Sequence, residues 1–259
     1  MRRRDRVMSR RFRGHCAFSA AAGAGLTLSV LACSIDDREL SVGNTPASNP
    51  KAIPLLPDAR GFVAGSNAAG ITGYWFAQVD SPTCQALGWY SADQCSMMFT
   101  PVGALLPSDL ETGRMCTSGI AARAINNPVT MAPDFGNIWG AQMGLRFDDG
   151  RPYDATAHGI TGLSFTLTSP PSGDLRIEFP TMDNPTTAAY WGGSWSYSSP
   201  VASGRNVIRW PDVGGPFYLA TPPPFDRTKL LQLIIHVATS ADRAIPYDFC
   251  VSNLAALTD

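Results

Sequence analysis

Apolar and polar residues alternate with a period of two in five stretches of the chain. Leu163, Phe165 and Leu167 interleave with Ser164, Thr166 and Thr168, and Leu175, Ile177 and Phe179 interleave with Asp174, Arg176 and Glu178. Met143, Leu145 and Phe147 do the same among Gln142, Gly144, Arg146 and Asp148. Leu231, Leu233, Ile235 and Val237 share one face near the C-terminus, as do Tyr247, Phe249 and Val251. Successive side chains of a strand point to opposite faces, so these stretches predict half-buried strands with a polar outer side. Weaker strand candidates lie at 71–79, 96–105, 114–124 and 205–210, and Gly- and Pro-rich clusters such as Pro170-Pro171-Ser172-Gly173 separate them. About nine strands and no amphipathic helix of useful length predict an all-β fold, an antiparallel two-sheet β-sandwich or jelly roll over residues 61–259.

The first 60 residues follow another pattern. Residues 1–14 are strongly basic and an apolar run of Ala, Gly and Leu extends to Ala32, which reads as a secretory signal peptide over 1–32. A retained anchor is the competing reading, and the run is at the short limit for spanning a bilayer. Val30-Leu31-Ala32-Cys33 resembles a bacterial lipobox, which makes Cys33 the lipid-bearing first residue of the mature protein; Ser34 after it resembles an outer-membrane signal. Arg10-Arg11-Phe12 is a loose twin-Arg match. Residues 33–60 hold four Pro and little periodicity and read as the lipidated Cys followed by a flexible tether. The expected location is the cell envelope, on the outer membrane or cell surface, with membrane contact through the lipid alone.

Charge changes the picture once the signal is set aside. Residues 1–32 hold seven Arg and one Asp, which leaves 13 basic against 20 acidic residues in 33–259, a net −7 with only two Lys. That balance excludes nucleic acid as a partner and disfavours anionic polysaccharides. Past Cys16 and Cys33 four cysteines remain, Cys84, Cys95, Cys116 and Cys250, an even set that in an exported protein implies two disulfides with three connectivities. The reading favoured here joins Cys84 to Cys95, closing a short loop, and Cys116 to Cys250, tying an early strand to the last. No C-x-x-C occurs, which weakens a zinc site.

Further segments follow one another in a characteristic order. They are Gly73-Tyr74-Trp75-Phe76, Trp139-Gly140-Ala141, Tyr153-Asp154-Ala155, Gly159 to Phe165, Leu175 to Pro180, Pro224-Phe225-Asp226, and Tyr247 to Leu254. Over roughly residues 70–257 this order resembles a group of bacterial secreted lipoproteins with a carbohydrate-binding jelly-roll domain of the galactose-binding-like type. The resemblance implies a glycan bound on a concave outer face or rim loops, often with a structural calcium. The chain departs from better-known modules of this type around 185–220, which is long and rich in Trp, Tyr, Gly and Pro.

Two residue groups suit glycan recognition. Trp191, Gly193, Trp195 and Tyr197 fall on one side of an extended 191–197, where aromatic faces would stack on a sugar ring or cap the core. Gln142, Arg146, Arg176, Glu178, Gln232 and His236 point outward from their strands and would meet sugar hydroxyls if those strands share a sheet; otherwise they are a solvated face with ordinary ion pairs. Asp148, Asp149, Asp154 and Asp248 offer oxygen ligands for the calcium that the resemblance implies, though their spacing matches no EF-hand. Nothing in the chain signals catalysis. A glycosidase would have only Glu111 and Glu178 as domain glutamates, with Asp183 or Asp148 as partners for Glu178, and a Ser-His-Asp hydrolase would need His158 or His236. The alternatives to a non-catalytic glycan binder are thus an envelope protein with no glycan site and, less favoured, a glycoside hydrolase.

Overall fold

The computed structural model describes residues 51–86, 88–100, 106–171, 175–182, 201–215 and 224–259, with the backbone of 195–197. The signal, Cys33 and residues 34–50 lie outside the described residues. Among those described, the strands are β1 (Lys51–Pro54), β2 (Phe62–Val63), β3 (Gly73–Val79), β4 (Met97–Met98), β5 (Met115–Ala121), β6 (Gly140–Arg146), β7 (Gly162–Thr168), β8 (Leu175–Phe179), β9 (Trp195–Tyr197), β10 (Gly204–Arg209), β11 (Val213–Gly214), β12 (Gln232–Ala238) and β13 (Ile245–Thr258). The α-helix among them is one short piece, α1 (Ser81–Ala86).

The strands form two antiparallel sheets, a β-sandwich of the jelly-roll class. One sheet runs β10-β7-β13-β5-β4, with β1 also on β13; the other runs β11-β9-β8-β12-β6-β3-β2. The alternation explains the packing. Leu163, Phe165 and Leu167 of β7 and Tyr247, Phe249 and Val251 of β13 meet Met143 and Leu145 of β6, Leu233, Ile235 and Val237 of β12 and Trp75 of β3 in one buried core.

β13 runs seven residues past the stretch whose alternation the sequence shows. Its core-facing residues are odd-numbered up to Val251 and even-numbered from Leu254 and Ala256. Between them the register slips by a bulge at Ser252–Ala255, with Asn253 in the left-handed region at φ 53°. One inserted residue inverts the inside–outside phase, which is why alternation stops being visible there.

The folded body also begins earlier than the sequence suggests. Lys51–Pro54 pairs with Ala255–Thr258, and Leu55 is buried, so residues 51–60 belong to the domain and not to the tether. Four residues with a proline at the end carry no periodic signal, and their partner is the far end of the chain. Both favoured disulfide pairs form. Cys84 joins Cys95, and Cys116 joins Cys250, its directly opposed neighbour between β5 and β13.

Candidate functional site

The candidate site residues of the seven-stranded sheet stand on the face turned away from the core. β6, β8 and β12 are neighbours in it, so the outward residues of all three share one surface. The register sorts them into rows. Tyr74 stands by Arg146, which is opposite Gln232. Phe76, Gly144, Ile234 and Glu178 form the next row, and Gln78, Gln142, His236 and Arg176 the third. The structure therefore brings together Arg146, Arg176, Glu178, Gln232, His236 and Gln142.

Backbone spacing shapes this surface. Gly144 has no side chain, and the ring of Phe76 lies across it: a Cβ there would come within 2.7 Å of Phe76 Cζ. The Arg146 guanidinium then sits over the Phe76 ring at 5.7 Å, a cation–π contact at the exposed end of the strand. Tyr74, 40% exposed, packs at 4.6 Å on Phe62 of β2. Ile234 faces outward yet is buried, so the centre of the face is sheltered and its edge is open.

His236 is the most constrained residue of the face. Nδ1 lies 3.0 Å from Glu178 Oε1, and Nε2 lies 2.8 Å from the Trp139 carbonyl oxygen. Both partners accept hydrogen bonds, so both are satisfied only when the ring carries two protons. Burial pushes the histidine pKa down, but the Glu178 carboxylate and the Trp139 carbonyl outweigh burial and the opposing Arg176, and the value is raised. A raised value in the folded state means that this stabilisation is complete below the ordinary histidine range and is lost as pH rises through the folded pKa. The stability advantage of the native protein over His236→Gln is therefore expected to shrink from pH 5.5 to pH 8.5. A denaturant titration at each pH checks this, and a constant or growing advantage would remove the imidazolium from the account.

The remaining site candidates are spread over the fold. Trp191 lies outside the described residues, as do the side chains of Trp195 and Tyr197 on β9. The β8–β9 register sets Ser196 opposite Glu178 and Trp195 opposite Phe179. Asp148 pairs with Arg151 at 2.8 Å, Asp154 accepts the backbone N–H groups of Thr156 and Ala157, and Asp248 stands opposite Ser118 on the other sheet. Among the described residues no group of three or more His, Cys, Asp or Glu gathers to hold a metal ion. His158 stacks on Tyr153 at 5.3 Å, and no serine hydroxyl bonds either His158 or His236 among the described residues.

Tyr74, Phe76 and Gln78 join the candidate face, and the alternation does not reveal them. β3 is apolar on both phases, with Trp75, Ala77 and Val79 inward and two aromatics outward, so period two is masked. The signal present in the sequence is the polar Gln78 in phase with Tyr74 and Phe76.

No family model matches the chain, and no curated protein matches it. Among solved structures, the solution structure of the module CtCBM11 is 12% identical, covers 83% of this chain and 99% of its own, and has a TM-score of 0.34. A family 11 carbohydrate-binding module of a cellulosomal cellulase from Clostridium thermocellum is 13% identical over 82% of this chain and 95% of its own, at 0.35. The family 11 module from Clostridium thermocellum in complex with a β-1,3-1,4-mixed-linked tetrasaccharide is 14% identical over 80% and 96%, also at 0.35. Likeness at this level carries neither a residue nor a ligand over to this chain.

Proposed function

We propose that the outward face of the seven-stranded sheet binds carbohydrate without turning it over, on a protein exported and lipid-anchored through Cys33 at the cell envelope. The observation that carries the reading is the set of rows across β3, β6, β12 and β8. Planar hydrogen-bonding groups, Gln142, Gln232, Arg146 and Arg176, stand on adjacent strands beside the aromatic edge of Tyr74 and Phe76. A pyranose presents hydroxyls in the ring plane and an apolar face of C–H groups, and this combination meets both. Glu178 is bonded to His236, which suits a fixed orienting acceptor.

The test is a pull-down on insoluble polysaccharides with a soluble glycan panel, using the full chain in oxidised form, with calcium and then with EDTA. Binding to at least one polysaccharide is expected. Arg146→Ala and Tyr74→Ala, both at the open edge, should each weaken it about tenfold, the factor for one interaction worth about 1.4 kcal/mol. Binding lost in EDTA would add a structural calcium. Folded protein that binds no glycan would overturn the reading in favour of a structural role in the envelope.

A further inference from the structure

Beyond the outer face, a cleft of about 810 Å3 opens at the end of the sandwich where β3 runs into α1. Gln78 belongs to both surfaces: it stands in the His236 row of the face and lines the cleft. Trp139, whose carbonyl accepts the His236 Nε2 hydrogen bond and whose ring meets His236 edge-on at 5.9 Å, forms part of the wall.

The lining dictates what the cleft accepts. Among the described residues no ionisable side chain lines it, so a charged ligand would be desolvated there without a counter-charge. Each of its three hydroxyls already has a protein partner, and two of them donate. Thr83 donates to the Asp80 carbonyl at 2.8 Å, Ser96 donates to the Asp80 carboxylate at 2.8 Å, and Ser81 accepts the Gln85 amide at 2.7 Å. A bare sugar ring would leave several of its own hydroxyls unmatched. The lining also includes Met97, Met98, Phe99 and Trp139, thioethers and rings that favour contact with an aromatic group. The Gln78 amide, at the junction with the face, offers N–H donors for one ligand carbonyl.

We propose that this cleft takes an uncharged aryl ester carried on the sugar chain bound by the outer face, with the aromatic ring between Trp139 and the Met97–Phe99 wall and the ester at Gln78. The sugar-borne form of the ligand rests on the carbohydrate reading of the face; the chemistry of the cleft does not.

The experiment is calorimetric titration of the full, oxidised chain with three sugar-free or aryl-free probes: ethyl ferulate, the ferulate anion and methyl β-glucoside. Saturable one-to-one binding of ethyl ferulate is expected, at least tenfold weaker binding of the anion, and no heat from the glucoside at the same concentrations. Phe99 is 67% exposed, so Phe99→Asp places a carboxylate in the wall without disturbing the core, and it should weaken the ester at least tenfold while a thermal melt stays unchanged. Equal binding of ester and anion, indifference to Phe99→Asp, or no saturation would each overturn the proposal, and the ester–anion comparison decides even if the variant does not fold. A protein that binds glycan but ignores the ester loses this inference alone. An ester bound by a protein that binds no glycan would overturn the outer-face reading and the sugar-borne ligand together.

Discussion

Replacing Cys116 and Cys250 together by alanine is expected to cost about 5 kcal/mol of stability, against about 3 kcal/mol for the same change at Cys84 and Cys95. The difference comes from the loops that the two bonds close. Cys116 and Cys250 are 134 residues apart and Cys84 and Cys95 only 11, and a cross-link removes more freedom from the unfolded chain when its loop is longer. The long bond also has structural consequences that the short one lacks. It joins directly opposed residues of β5 and β13, and β13 is the strand on which β1, β5 and β7 all pair. The short bond lies in a small satellite cluster with Tyr90, Ala122 and Ile138, apart from the main core. Denaturant titration of the two double variants decides the matter. Equal costs, or a larger cost at Cys84 and Cys95, would mean that the unfolded chain is already compact enough to make loop length irrelevant.

How much of this fold is legible in the sequence depends on whether one phase of each strand is apolar and the other polar. β6, β7 and β8 meet that condition, and their inward residues are the ones the alternation picks out. β3 fails it because Tyr74 and Phe76 face outward opposite a buried Trp75, and β13 fails it beyond Val251 because its bulge inverts the phase. β1 is invisible for a different reason: its four residues stay largely exposed and are held by backbone pairing with a partner some two hundred positions away, which no local pattern records. The site divides the same way. That Arg146, Arg176, Glu178, Gln232 and His236 point outward follows from alternation within each strand. That they form one surface follows from β12 lying between β6 and β8, a long-range pairing. The lie of Phe76 across Gly144, and the grip of Trp139 on His236, are properties of neighbours in space alone.

Asp80 has no sequence signature at all, and Asp80→Ala is expected to cost about 4 kcal/mol, since each buried donor left without a partner costs about 1–3 kcal/mol. Its fully buried carboxylate accepts three donors, the Ser96 N–H and hydroxyl at 2.8 Å each and the Gly140 N–H at 2.7 Å. Its own backbone completes the knot: the N–H donates to Gly140, and the carbonyl accepts the Cys84 N–H and the Thr83 hydroxyl. One residue thereby fixes the end of β3, the start of α1, the segment after the short disulfide and the start of β6. Asp80→Asn should cost less than alanine but remain destabilising. The amide oxygen still accepts from Ser96, whose hydroxyl can turn, while the new NH2 confronts the Gly140 N–H, which cannot. The effect should also reach the proposed site. Gly140 follows Trp139, so loosening the start of β6 displaces the carbonyl that holds His236, and both variants should weaken glycan binding under conditions where they remain folded. Stability of all three proteins, read by denaturant titration beside polysaccharide affinity, separates the two roles. An asparagine variant as stable as the native protein would show that the carboxylate is not what holds this junction, and unchanged affinity in a destabilised variant would detach Trp139 and His236 from the binding face.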